Sequence, residues 1–107
     1  MLIVDLHLKG NLVIVVGSGN EGMKKVSSLL TQDCKILVIS SSSNPQITKY
    51  VKLGKIKFKK IKLNSASFLS KYKPYLVMAT TTDRALNRKI VEKARKMKAY
   101  VLSLIHI

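Results

Sequence analysis

Continuous apolar runs alternate along this chain with stretches whose apolar residues recur every three or four positions. The runs at residues 12–16, 35–39, 75–79 and 100–107 lack apolar–polar alternation, the pattern of parallel strands covered on both faces. Between the first two, Met23, Val26, Leu29 and Leu30 set the apolar face of a helix that ends near residues 31–33. Ile47, Tyr50, Val51 and Leu53 do the same for a second helix, stopped by Gly54. At its start Ser43 and Gln46 have capping-box spacing, Asn44 is an alternative N-cap, and Pro45 suits the first turn. Residues 55–59 alternate strictly, as Lys55-Ile56-Lys57-Phe58-Lys59, and residues 60–63 shift the phase. That predicts an edge strand whose lysines discourage pairing with another sheet. A short helix is predicted over residues 64–71, capped by Asn64, with Phe68 and Leu69 inward, and Lys73-Pro74 breaks it. The last helix is long, capped by Thr82 or Asp83. Its stripe is Leu86, Ile90, Ala94 and Met97, with Arg88, Lys89, Lys93, Arg95 and Lys96 outside. Strands alternating with helices predict an α/β fold: a doubly wound parallel sheet of about five strands in the order 3-2-1-4-5, with helices on both faces.

The first strand runs into Gly17-Ser18-Gly19-Asn20-Glu21-Gly22, a G-x-G-x-x-G that opens the first helix. Each glycine has its own use: Gly17 for a tight exit from the strand, Gly19 for close approach of a pyrophosphate to the backbone, Gly22 for close packing of helix on strand. The free N–H groups and positive dipole end of the helix then face the diphosphate. The same spacing also serves an ordinary glycine-rich turn, but the strand before it and the amphipathic helix after it are the context of a Rossmann-like dinucleotide site. Where many such folds carry Asp or Glu after the second strand, this chain has Ser40 and Ser41. Ribose contact then falls to hydroxyls or backbone, which leaves NADP open beside NAD. Thr80, Thr81 and Thr82 end a later strand on the side of the sheet where a nicotinamide would lie, and equally suit turn and capping roles.

Composition narrows the setting. An apolar fraction of 47% over 107 residues supports one core, and the whole chain, 1–107, reads as one NAD(P)-binding domain. No apolar run approaches the ~20 residues of a membrane span. Asp5 and His7 interrupt the N-terminal apolar stretch, unlike a signal peptide, so a cytoplasmic protein is expected. Cys34 is the only cysteine and reads as a small buried hydrophobe, while His7 and His106 are too scattered for a metal site. The outlier is charge: 20 Lys and Arg against 5 acids, a net +15. Such a surface attracts polyanions, although a lysine-rich proteome produces the same excess. Nucleic acid is disfavoured as a partner, because the charge is spread along the chain without an arginine-rich arm or an aromatic RNA-binding signature.

Several segments together resemble the NAD-dependent precorrin-2 dehydrogenases, the N-terminal domain of sirohaem synthase. Asp5-Leu6-His7-Leu8-Lys9-Gly10 resembles the family's D-L-K-G opening, and Gly17-Ser18-Gly19 with Lys25 resembles its G-G-G-x-x-A-x-x-K. Gly54-Lys55-Ile56 follows a Pro-containing helix as it does there, and Ala79-Thr80-Thr81-Thr82-Asp83 with Leu86-Asn87 resembles its A-A-T-x-D-x-x-L-N. The resemblance implies oxidation of precorrin-2 to sirohydrochlorin with hydride passing to NAD+, and an anionic tetrapyrrole as substrate; some members also insert Fe2+. It places Gly17, Ser18, Gly19, Asn20 and Glu21 at the pyrophosphate, Ser40 and Ser41 at the adenosine ribose, and Thr80, Thr81, Thr82 and Asn87 at the nicotinamide end. The family's last strand leads into N-V-V-D, where this chain has Ser103-Leu104-Ile105-His106. The catalytic group is thus unassigned, with Asp83 and His106 as weak candidates. The family continues into a dimerisation and substrate-binding region, and this chain stops after its last strand. The stop reads as a truncation, an altered reading frame or a stand-alone nucleotide module. An apolar stretch at 102–107 offers pairing to a second copy. Two other classes stand beside this one: a nucleotide-sensing module of the kind that gates potassium channels, and a nucleic-acid-binding protein driven by charge.

Overall fold

Strands that are apolar on both faces must be roofed twice, and the chain does this with the helices of its first half on one face and those of its second half on the other. The computed structural model describes residues 7–103. Asp5, His106 and residues 104–107 lie outside the described residues. The five strands are β1 (Leu12–Val16), β2 (Lys35–Ser40), β3 (Lys57–Lys60), β4 (Leu76–Ala79) and β5 (Tyr100–Ser103). They form one parallel sheet in the order β3-β2-β1-β4-β5, as the apolar pattern predicts. Helices α1 (Asn20–Leu29) and α2 (Pro45–Lys52) follow β1 and β2; α3 (Arg84–Lys96) follows β4.

Successive residues of β1 point to opposite faces, so one run supplies two cores. Val13 and Val15 join Ile36, Val38, Leu76 and Met78 beneath Met23, Val26 and Leu29 of α1 and Ile47 of α2. Ile14 and Val16 join Leu37, Ile39, Val77 and Ala79 beneath Leu69 and Leu86, Ile90 and Ala94 of α3. Each fully buried Ile or Leu contributes roughly 1.5–3 kcal/mol, which favours placing the fully apolar strands β1, β2 and β4 in the middle of the sheet.

Three details depart from the sequence reading. Residues 64–71 form only a 3-10 turn (Ser67–Lys71), with no side-chain cap from its N-cap Ala66, so Asn64 is not the cap. The segment is anchored by Leu69, fully buried, and Pro74 follows before β4. On α2 only Ile47 is buried, while Val51 and the C-cap Leu53 are 41% and 57% exposed; this short helix packs against the edge strand β3, beyond which no further strand lies among the described residues. On β5 only alternate residues turn inward: Tyr100 and Leu102 stay exposed at the sheet edge and Ser103 is buried.

The caps are also settled. Asn44 accepts from the Ile47 N–H and caps α2, and Asp83 accepts from the Leu86 N–H and caps α3. Helix α2 ends in a paired-bond motif, with the Gly54 and Lys55 N–H groups on the Val51 and Tyr50 carbonyls and Gly54 at φ +72°. Helix α3 ends in the same motif, but the left-handed residue is Lys98, at φ +60°, with the Lys98 and Ala99 N–H groups on the Arg95 and Ala94 carbonyls. A side chain in that conformation costs ~1–2 kcal/mol, partly offset by glycine's greater chain entropy, so Lys98→Gly is expected to stabilise the fold by about 0.5–1 kcal/mol in urea unfolding. A loss of stability would show that the Lys98 side chain makes a contact of its own.

Candidate functional site

The strand order reverses at β1, whose neighbours are β2 on one side and β4 on the other. Ligands of open parallel sheets lie beyond the carboxyl ends at such a point. Beyond Val16 the chain turns through Gly17 at φ +117°, and the Gly17 N–H reaches the Ile39 carbonyl at 2.9 Å. A Cβ on Gly17 would lie 2.7 Å from Thr80 Oγ1, and one on Gly22 would lie 2.6 Å from the Gly17 carbonyl oxygen and 2.9 Å from Thr80 Oγ1. Strand end, helix α1 and the Thr80 hydroxyl therefore meet with only glycine hydrogens between them. At Gly19 the situation is the reverse: nothing lies within 4 Å of an added Cβ, so the turn faces open space there.

Gly19 is the N-cap of α1, and no side chain caps it. The Ser18 hydroxyl, one residue before the cap, is committed elsewhere. Its Oγ lies 2.8 Å from Ser40 Oγ, donates to the Ser42 carbonyl at 3.0 Å and lies 3.4 Å from Ser42 Oγ. Asn44 Nδ2 donates to the Ser18 carbonyl at 3.0 Å while its Oδ1 caps α2. The loops after β1 and β2 are thus sewn together, and the first-turn N–H groups of α1 are left pointing at the cleft with the dipole behind them. Glu21 is exposed and pairs with Lys24 at 3.4 Å, so its backbone N–H, not its carboxylate, suits an anion.

The threonine loop is built just as tightly. Thr80 is buried, and both its N–H and its hydroxyl donate to the Val16 carbonyl, each at 2.9 Å. Asn87, 1% exposed, lies behind the loop: its Nδ2 donates to the Thr81 carbonyl at 2.9 Å and its Oδ1 accepts from Thr81 Oγ1 at 2.6 Å. Thr80 and Asn87 therefore shape the loop from beneath, and Thr81 and Thr82 form its rim. Asp83 sits on the same rim and spends one carboxylate oxygen on the Leu86 N–H at 3.1 Å.

Together Gly17, Ser18, Gly19, residues 40–42 and 80–83, Leu63 and Leu86 enclose a cleft of about 340 Å³. A wider, more open groove of about 990 Å³ continues from it between the first turns of α1 and α2, past Asn20, Glu21, Lys24 and Gln46. The smaller cleft is where strand ends, helix N-terminus and hydroxyls converge. Ser42 and Leu63 join it without a distinctive sequence signal beyond their nearness to strand ends, and Asn44 reveals only its capping role in the sequence.

Other candidates fall outside the cleft. The His7 N–H donates to Tyr75 Oη. Cys34 is half-buried with its Sγ on the Leu29 carbonyl, and desolvation pushes its thiol pKa up. Among the described residues no group of three His, Cys, Asp or Glu side chains is placed to hold a metal ion, and no helix is long and apolar enough to cross a membrane.

Comparison with known proteins bears on this geometry. A family model described as NAD(P)-binding matches residues 4–104. The chain is 28% identical over 98 residues to a siroheme synthase of Actinobacillus pleuropneumoniae serotype 7 (strain AP76), covering 92% of this chain and 20% of that protein. It is 21% identical over 94 residues to a precorrin-2 dehydrogenase of Bacillus subtilis (strain 168), covering 88% of this chain and 56% of that one. Among solved structures, SirC, a precorrin-2 dehydrogenase, superposes with a TM-score of 0.72 at 24% identity over 94% of this chain and 48% of its own. The chain thus spans a fifth of one relative and little more than half of the other.

The glycines separate fold from site. Gly22→Ala must displace backbone and is expected to cost about 1–3 kcal/mol in urea unfolding, whereas Gly19→Ala should change stability by no more than about 0.5–1 kcal/mol. Equal costs would contradict the packing described. The raised Cys34 thiol pKa means less thiolate at a given pH, so alkylation of the folded protein near pH 8 should be slower than that of a free cysteine peptide and should speed up on denaturation.

Proposed function

Because the chain belongs to the NAD(P)-binding family matched over residues 4–104, we propose that it is the cofactor-binding part of a precorrin-2 dehydrogenase, oxidising precorrin-2 to sirohydrochlorin. The observation that carries the cofactor half of this reading is the uncapped N-terminus of α1 at Gly19, open to the cleft at the reversal of strand order. That cradle fits a dinucleotide: a pyrophosphate on the N–H groups of Gly19, Asn20 and Glu21, the adenosine ribose on Ser40 and Ser41, and the nicotinamide end toward Thr81 and Thr82. Thr80 and Asn87 hold that rim in place from beneath. Bound NAD+ supplies the hydride acceptor, and the substrate loses protons to solvent or to a base.

The names of the two curated relatives and the order of motifs along the chain support the substrate half. So does charge. Precorrin-2 is a polycarboxylate, and a protein with a net charge of +15 draws such an anion toward its surface at modest ionic strength. A cytoplasmic location goes with this role, where the nicotinamide pool lies.

Asp83 reads as a cap here and not as the base. Asp83→Asn keeps an oxygen for the Leu86 N–H and removes the charge. It is expected to leave stability within about 0.5 kcal/mol and turnover within about tenfold, whereas a loss of 10²–10⁴, roughly the worth of a general base, would assign proton transfer to Asp83. The test of the whole reading is anaerobic incubation of the chain with precorrin-2 and NAD+, following NADH together with the sirohydrochlorin spectrum. Turnover is expected, and it should vanish in Gly19→Ala. NAD+ binding without turnover would keep the cofactor site and overturn catalysis by this chain alone. No binding would overturn both and leave polyanion attraction as the stronger account.

A further inference from the structure

Between Asp33 and Asp83 the sequence holds no acidic residue, and β2 and β3 fall inside that stretch. At the amino ends of these strands, the end of the sheet opposite the dinucleotide cleft, lies a groove of about 780 Å³. Lys35, Lys55, Lys57 and Lys59 line it together with Leu37, Phe58 and Tyr72, and no Asp or Glu does. These lysines are exposed, and among the described residues the one ion pair is Lys24–Glu21 on α1, so their charges are unanswered. Their placement is regular. Lys57 and Lys59 pair in register with Leu37 and Ile39 and so stand on the same face of the sheet; Lys35, two residues before Leu37, stands on it too. Helix α3 packs over β4 and β5 on that face and leaves the lysines uncovered on the β3 side. The backbone is open there as well. The Ile61 N–H turns inward to the Ser40 carbonyl, so by the alternation of a parallel ladder Phe58 and Lys60 aim their N–H and carbonyl groups outward. No strand lies beyond β3 among the described residues.

We propose that the outer edge of β3 is a docking site for an acidic polypeptide segment in extended conformation. The segment adds a strand along Phe58 and Lys60 and sets alternate carboxylates against Lys57 and Lys59, with Lys35 and Lys55 at the end of the array. Lysines two apart on a strand repeat at about 6.6 Å, the repeat of alternate side chains on a partner strand. Main-chain bonds hold an added strand while its alternate side chains select it, and opposite charges across a strand pair favour it. A second copy is rejected by the same rule, because its own β3 brings lysine against lysine. Nucleic acid offers phosphates to the lysines but nothing that matches the outward backbone pattern of a strand, and Phe58 and Tyr72 are half-buried, not presented as a stacking platform. The lysines thus close the edge to basic strands and leave it open to an acidic one. This site is separate from the dinucleotide cleft and stands or falls independently of the proposed function.

Fluorescence anisotropy tests this at physiological salt, with the full chain and a labelled peptide of about ten residues that alternates Glu with Thr. A peptide of the same composition with its Glu residues in one block, and oligo(dT), serve as comparisons. The alternating peptide should bind at least about tenfold more tightly than the block peptide, and Lys57→Glu with Lys59→Glu should weaken it at least about tenfold. Lys89→Glu with Lys96→Glu, the same change of charge on the exposed side of α3, should weaken it by no more than about twofold. On binding, amide exchange at Phe58 and Lys60 should slow. Equal affinity for the two peptides, or equal weakening by the two pairs of substitutions, would overturn the proposal in favour of diffuse charge. Binding that leaves exchange at Phe58 and Lys60 unchanged would overturn strand addition. Tighter binding of oligo(dT) than of the alternating peptide would assign the groove to nucleic acid, and no binding of the alternating peptide would overturn the proposal outright.

Discussion

The close crossing of α1 over the ends of β1 and β4 is the constraint on which the rest depends. Gly17, Gly22 and Thr80 meet with no space for another carbon. Thr80 locks the crossing by giving both its donors to the Val16 carbonyl. That contact fixes how far α1 can descend onto the sheet, and so decides where its first N–H groups point. Were α1 lifted by the width of a methyl group, its N-terminus would no longer face the crevice between β1 and β4. Met23 and Val26 would also lose part of their contact with Val13 and Val15. One small contact thus joins fold energetics to the placement of the anion site.

The polar groups around the cleft divide into those that build and those left over to bind. Ser18, Asn44, Thr80 and Asn87 are engaged with other loops of the protein, and each such bond is worth only about 1 kcal/mol net. Their value lies in preorganisation, because breaking one would leave a buried donor or acceptor unpaired at a higher cost. What remains on the surface of the cleft is the open side of Gly19, the N–H groups of Asn20 and Glu21, Ser41 and Thr82, with the Thr81 hydroxyl held by Asn87 at the rim. A ligand meeting that surface encounters backbone donors and hydroxyls, with carboxylate confined to one edge.

Much of this was legible in the sequence, and the reasons differ by element. Apolar runs without alternation marked β1, β2 and β4 as central strands, since only these need both faces dry, although the same pattern stood at the edge strand β5; the G-x-G-x-x-G between strand and helix located the cleft. The caps were legible only to within a residue: Ser43 with its capping-box spacing stood beside Asn44 and Thr82 beside Asp83, and the geometry selects Asn44 and Asp83. Elements at the periphery were harder to read. Asn64 precedes apolar residues just as a cap would, yet the segment forms only a 3-10 turn that starts after Ala66. Val51 and Leu53 keep helical spacing from Ile47 and Tyr50 but stay exposed at the edge-strand side of the sheet. Neither fact is visible until the third dimension is known. The division of labour in the site was also hidden: sequence places Thr80, Asn87 and Thr81 together, and only geometry shows that the first two lie beneath the surface the third presents.

Charge is the remaining property the fold does not explain. Twenty cationic side chains against five acids leave nearly every lysine without a carboxylate partner, and the cleft is one small area of a surface that attracts anions everywhere. The central claim, that a dinucleotide is bound by the glycine turn and not by diffuse charge, is tested most directly by backbone amide shifts during titration with NAD+ at physiological salt. The account predicts the largest changes at Gly19, Asn20 and Glu21, with smaller ones at Ser41 and Thr81. Changes confined to the lysines of β3 and the outer face of α3, with Gly19 unmoved, would contradict it.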